Sequence, residues 1–249
     1  QIRIWLLSTI IMVILMILIG GVTRLTESGL SMVEWRPLWG FLPPISQFEW
    51  NRVFELYMKS PEYIFKNKGM SLEEFKEIFF WEYFHRLWGR LIGIIFIIPL
   101  LFFMIVKKLP KSILSKLFLI LFLGGLQGLI GWWMVKSGLV NDPTVSQYRL
   151  TIHLSNALLI LSLLIWVYLD VKEGVSQIKP DFSFFMFSIL FITITAGAFV
   201  AGMDAGLMYN EYPFMGDSLI PENYGEYELL DPFENPASAQ FHHRHLALF

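Results

Sequence analysis

Cysteine is absent from the 249-residue chain, which excludes disulfides, thiolate metal sites and cysteine nucleophiles. Charge is scarce as well: 16% of the residues are charged, where a water-soluble domain carries about 25%. The two signs nearly cancel, 19 Lys+Arg against 21 Asp+Glu for a formal net charge of −2, so no basic surface is available to a nucleic acid. No phosphate loop, serine triad or zinc-type spacing interrupts the chain. The first apolar block lacks both a strongly basic leading segment and a small-x-small cleavage site before Gly20-Gly21, so it reads as a span and not as a signal peptide. What the chain has in excess is apolar residues, at 55% of the total and a mean hydropathy of +0.55.

Those residues fall in long blocks, which makes lipid the expected solvent. Five blocks, at roughly residues 4–22, 84–106, 117–135, 150–169 and 182–201, are each long enough to cross a hydrocarbon core of about 30 Å. Backbone groups in lipid must be satisfied inside the segment, and alternating barrel strands are not seen, so the expectation is an all-α polytopic bundle. A sixth block begins near Phe241 and reaches Phe249, from which the reading expects a longer protein. The second loop carries Lys107, Lys108, Lys111 and Lys116 with no acid. The fifth carries Asp204, Glu211, Asp217, Glu222, Glu226, Glu228, Asp231 and Glu234 with no lysine or arginine. That contrast puts the odd-numbered loops on the outer side, although the long first loop also holds Arg24, Arg36 and Arg52. Trp35, Trp39 and Trp50 stand there among the turn-forming Pro37, Pro43 and Pro44.

An internal echo runs through the chain. Gly20-Gly21 and then Glu27-Ser28-Gly29-Leu30 close the first block, and Gly197-Ala198 and then Asp204-Ala205-Gly206-Leu207 close the fifth at the same spacing. A long loop and a histidine–arginine pair follow each, His85-Arg86 and His243-Arg244. Weak internal similarity of this kind marks membrane proteins built from repeated halves. The expected organisation is two halves, residues 1–175 and 176–249, with the second incomplete.

His85, His153 and His243 open spans two, four and six, all after odd-numbered loops and hence at similar depth. An ionisable group within a span is a functional candidate, and imidazole is the usual ligand of a metal or heme; a histidine hydrogen-bonded at the interface is the plainer alternative. His242 and His245 lie on other faces of the helix carrying His243 and read as interfacial. Glu82 and Arg86 bracket His85 on one helical face, either as a surface pair or as a carboxylate beside a ligand. Arg149 precedes His153 by four residues, again on one face. Gly89/Gly93 and Gly124/Gly128 read as close helix contacts.

Six stretches resemble heme A synthases of the cysteine-free mitochondrial and proteobacterial type. They are GGVTRLTESGLSMVEWRPLWGFLPP (20–44), EYFHRLWGRLIG (82–93), QGLIGWWMVKSGL (127–139), VSQYRLTIHL (145–154), GAFVAGMDAGLMYNEYPFMG (197–216) and FENPASAQFHHR (233–244). The resemblance implies eight helices in two pseudo-symmetric four-helix halves, about six of them present here. It implies that His85 and His153 ligate the substrate heme O in the first half. His243 would ligate the iron of a heme b cofactor in the second, and Glu82 would be the essential acid. Arg86, Arg149 and Arg244 would orient the site or meet propionates. The implied reaction oxidises a ring methyl of heme O to a formyl group by successive hydroxylation, giving heme A for cytochrome oxidase. Glu82 would there stabilise cationic character, relay protons or trap a covalent intermediate. Implied partners are a heme O synthase as supplier, a ferredoxin or quinol as electron donor, oxidase assembly factors, membrane lipid and a second copy in a homo-oligomer. The implied location is a bacterial cytoplasmic or mitochondrial inner membrane. The rival is a diheme b-type electron-transfer protein. It does not account for an acid three residues before His85 where Gln240 stands three before His243.

Overall fold

The computed structural model describes residues 1–35, 40–140, 143–175 and 177–249. Arg36, Pro37 and Trp39 of the first loop lie outside them. Among the described residues the chain is helical with no strand. Five helices are long and apolar enough to cross a membrane: α1 (Ile2–Leu25), α4 (Leu72–Ile105), α5 (Lys111–Gly138), α6 (Gln147–Glu173) and α7 (Phe182–Gly202). Shorter helices lie between and after them: α2 (Gln47–Tyr57), α3 (Pro61–Phe65), α8 (Asp231–Glu234) and α9 (Pro236–Leu246). The chain divides into two compact units, Gln1–Val145 with Leu159–Ser176, and Ser146–Leu158 with Gln177–Phe249, so α6 contributes to both.

In the first unit one apolar cluster ties the spans together. It joins Trp5, Leu6, Ile10 and Val13 of α1 to Phe96, Leu100 and Phe103 of α4, with Ile113, Leu117 and Ile120 of α5 and Ile160, Leu164 and Val167 of α6. Lipid tails are as apolar as these side chains, so packing and hydrogen bonds hold the helices more than water exclusion does. Two indoles supply such bonds between α1 and α4: Trp5 Nε1 donates to the Ile95 carbonyl at 3.0 Å and Trp88 Nε1 to the Met12 carbonyl at 2.9 Å. Gly89 lies at the same contact, where an added Cβ would stand 3.4 Å from Met16. The other three glycines read as helix contacts behave differently. At Gly93, Gly124 and Gly128 an added Cβ meets nothing within 4 Å among the described residues.

Helix α4 starts well before the apolar block that announces it. Ser71 accepts from the Glu74 amide while the Glu74 carboxylate accepts from the Ser71 amide at 2.7 Å, a capping box that sets the start at Leu72. His85 consequently lies deep within α4 and not at its opening. The early turns bury Phe75 and Phe79 against Tyr57 of α2, with Trp50, Phe54 and Tyr63 around them. The first loop thus has its own apolar core, built on the N-terminal end of α4. In the second unit α7 packs on α9 through Phe199, Val200 and Ala239, with Ala205 of the connecting turn.

Candidate functional site

Glu82 is buried in the first unit at 3% exposure and meets its partners in the first loop. After α1 the chain turns at Glu27, whose φ of 48° is left-handed, and the Ser28 amide returns to the Thr23 carbonyl at 3.0 Å. This brings Ser31, 1% exposed, against α4. The Ser31 hydroxyl and the Met32 amide both donate to Glu82 Oε2 at 2.7 Å, and Arg86 Nη2 donates to Oε1 at 2.5 Å. Arg86 also clamps the loop backbone, donating to the carbonyls of Met32 at 3.1 Å and Glu34 at 3.3 Å. Glu34 in turn pairs with Arg52 of α2 at 3.0 Å, and this hydrogen bond holds the Arg52 guanidinium above its ordinary value. His85 faces Gly20 of α1, where a Cβ would stand 3.3 Å from its Nε2.

The second unit repeats this arrangement at corresponding positions. Asp204 turns the chain at φ 55° after α7, matching Glu27. Gln240 takes the place of Glu82, and its Oε1 accepts from the Tyr209 amide at 3.2 Å, as Glu82 does from Met32. Its Nε2, which a carboxylate lacks, donates to the carbonyls of Gly206 and Tyr209, each at 3.1 Å. Arg244 matches Arg86, donating to the carbonyls of Tyr209 and Glu211, the latter at 2.8 Å. His243 faces Gly197, where a Cβ would stand 2.8 Å from its Cε1. Asn235 caps α9 by accepting from the Ala237 amide at 3.0 Å, which sets the register that aims His243 at α7.

The histidines separate by surroundings. His243 Nδ1 lies 3.0 Å from the Thr193 carbonyl and so donates to it, the arrangement that in a neutral imidazole leaves the lone pair on Nε2. Iron-binding imidazoles are oriented in this way by a carbonyl on the far nitrogen, so the residue fits a metal-ligating role. His242 lies 3.2 Å from the Tyr224 hydroxyl, and His245 is exposed and bonded to its own helix at the Phe241 carbonyl, 2.8 Å away. His153, with Arg149 four residues before it on α6, falls in the second unit, whereas His85 falls in the first. Among the described residues no cluster of three or more His, Cys, Asp or Glu could hold a bare metal ion.

Two further acids lie outside the spans. Glu62 of α3 is 3% exposed, and burial pushes its carboxyl up to about 7 even though the Tyr57 hydroxyl donates to it at 2.9 Å. Asp231 is equally buried; burial opposes its charge, but the Gly225 and Tyr227 amides and the Asn235 side chain outweigh it and bring the carboxyl to about 2. The Glu82–Arg86 pair and the histidines stand out in the sequence by their spacing. Ser31, the Met32 amide and Thr193 do not, and the glycines do so only as a repeat and not as contacts of the histidines.

A helical membrane bundle with duplicated histidine seats, one beside a buried carboxylate and one beside an amide, is the class that this geometry defines. Residues 3–249 match the family model described as "Cytochrome oxidase assembly protein". The chain is 47% identical over 250 residues to the heme A synthase of Granulibacter bethesdensis, covering 98% of this chain and 67% of the relative. It is 48% identical over 259 residues to that of Nitrosospira multiformis (99% and 72%) and 44% over 250 residues to that of Pelagibacter ubique (98% and 74%). No solved structure matches the chain. The chain belongs to the cytochrome oxidase assembly family that includes these heme A synthases, and it is an integral membrane protein.

Proposed function

We propose that this chain is a heme A synthase, a membrane oxidoreductase that converts a ring methyl of heme O to a formyl group, with Glu82 as the acid at the reacting methyl. The observation that carries the reading is the difference between the two seats: the loop turn, arginine clamp and glycine-faced histidine are common to both, and only the first holds a carboxylate. His85 is a ligand of the substrate heme. His153 is its second ligand by the family resemblance alone. His243, with Nε2 available, would hold the resident heme b, which when bound would relay single electrons from an outside donor.

Converting methyl to formyl is a four-electron oxidation, and as two successive hydroxylations it would use dioxygen as the oxidant. Each would put one oxygen atom on the methyl carbon while two electrons from an outside donor and two protons reduce the other to water. The resulting gem-diol loses water to give the formyl group. The methyl carbon develops cationic character on the way, which a carboxylate stabilises. Glu82 suits that task. Its Oε2 is filled by two donors, whereas among the described residues Oε1 takes only Arg86, which leaves a lone pair for the substrate. Arg86 and Arg244 spend their terminal nitrogens on the protein, which supports an orienting role for both over a propionate contact. The lysine-rich second loop and the acidic fifth loop support an outward-facing first loop, in a bacterial cytoplasmic or mitochondrial inner membrane. Heme O would come from a heme O synthase, electrons from a ferredoxin or quinol, and the product would pass to oxidase assembly factors.

The test is to express the protein beside a heme O synthase, extract the bound hemes and separate them. Heme A or hydroxylated heme O alongside heme b is the expected result. Heme b alone, with heme O and reductant supplied, would turn the assignment to a diheme electron carrier.

A further inference from the structure

We infer that Ser31 is a positioning residue of the oxidation site, fixing the Glu82 carboxylate so that Oε1 alone is left to meet the substrate. The inference rests on the reading of Glu82 as the reacting acid, and it adds a residue on another element that no helical spacing points to.

The geometry is specific. A glutamate carboxyl turns broadly about its last torsion, so one donor on each oxygen leaves its plane loosely set. Here Oε2 takes two donors from adjacent residues of one loop, the Ser31 hydroxyl and the Met32 amide, both at 2.7 Å. The Ser31 hydroxyl has a single proton. Its other acceptor, the Ile78 carbonyl, is at 3.4 Å, so the proton belongs to Glu82. Ser31 and Glu82 are both nearly sealed from outside, so no water competes for that oxygen. With Oε2 occupied and Arg86 holding one side of Oε1, the remaining lone pair has a defined direction.

The second unit shows what the loop looks like without this requirement. Counting from the matched Gly29-Leu30 and Gly206-Leu207, the position of Ser31 is taken by Met208, which has no hydroxyl and is exposed. Gln240 there needs none, because its own amide closes the contact by donating to two backbone carbonyls. Serine and carboxylate occur together in one seat; methionine and amide occur together in the other. If Ser31 merely filled space under α4, nothing would tie its hydroxyl to the identity of the residue opposite.

The test uses three variants of the membrane-embedded protein with heme O supplied: Ser31→Ala, Ser31→Thr and Glu82→Gln. For Ser31→Ala we expect unchanged heme b and bound heme O, an unchanged KM for heme O, and a kcat lower by about tenfold to a hundredfold, the scale that a misplaced catalytic group costs. Ser31→Thr, which returns a hydroxyl, recovers most of the rate. A wild-type kcat in Ser31→Ala while Glu82→Gln is inactive overturns the role of Ser31 and leaves Glu82 standing. Parallel loss of heme and activity in Ser31→Ala and Ser31→Thr also overturns it, by showing a packing role only. Full activity in Glu82→Gln sinks the reading of Glu82 itself.

Discussion

The turn that follows α1 and the turn that follows α7 are two versions of one device. Each leaves its helix through a left-handed acidic residue, Glu27 or Asp204, and passes a backbone amide to a side chain three residues before a histidine. Each is clamped by the arginine after that histidine. They differ where chemistry would act: the first presents a carboxylate that only accepts, the second an amide that accepts and donates and so satisfies itself. A duplicated scaffold can thus keep a ligand seat in both copies and confine reactivity to one through two side chains, Ser31 with Glu82 against Met208 with Gln240.

The strongest way to break this comparison is to remove the group that each copy depends on. Glu82→Ala is expected to abolish heme A and hydroxylated product, a loss of at least about a hundredfold, while the heme b spectrum stays largely intact. His243→Ala is expected to remove the heme b spectrum itself. If Glu82→Ala lost heme b, or His243→Ala kept it, the assignment of the two seats would be reversed or wrong; absorption spectra of the purified variants decide both.

A finer contrast comes from the glycine seats. At Gly197 an added methyl would stand 2.8 Å from the His243 ring, a distance that forces movement, whereas at Gly20 it would stand 3.3 Å from His85, where a shift of a few tenths of an ångström suffices. Gly197→Ala should therefore strip heme b severely, and Gly20→Ala should lower substrate heme binding only a fewfold. Equal effects in a heme titration would show that the two seats are not packed as described.

The smallest effects concern the first and last loops, and they have opposite signs with pH. Glu62 ionises near 7 when folded against an ordinary 4.5, because burial disfavours its charge. The folded first loop therefore binds the proton more tightly than the unfolded chain, and it loses stability as pH rises from about 4.5 through about 7. Asp231 ionises near 2 against an ordinary 3.8, so the last loop keeps its contribution above 3.8 and loses it as pH falls towards 2. Amide-exchange protection of residues 57–67 and 223–235, corrected for the intrinsic pH dependence of exchange, should fall in the first loop between pH 5 and 8 and stay unchanged in the last. Glu62→Gln should flatten the first response.

Much of the fold was legible because lipid enforces it: a run of about 20 apolar residues announces a span whatever its neighbours do. The start of α4 was not, since the Ser71–Glu74 capping box lies in polar sequence ahead of the apolar block. The Glu82–Arg86 pair could be read from a spacing of four. Ser31 could not, because 51 residues separate it from Glu82 and no local rule spans that gap. The repeated glycines were visible as an echo, but their use as seats for imidazoles requires α1 to lie against α4 and α7 against α9.

Phe75, Phe79, Glu82 and Arg86 follow one another along a single face of α4, so the water-side core of the first loop and the buried acid are carried on one rigid rod. Getting into the bilayer and becoming competent are therefore separate events for this protein. A chain with α1 joined to α4 by a short linker would still insert both helices, since their apolar runs lie elsewhere. It would emerge threaded and inert, its acid still paired with Arg86 but without the two loop donors that set the plane of the carboxylate.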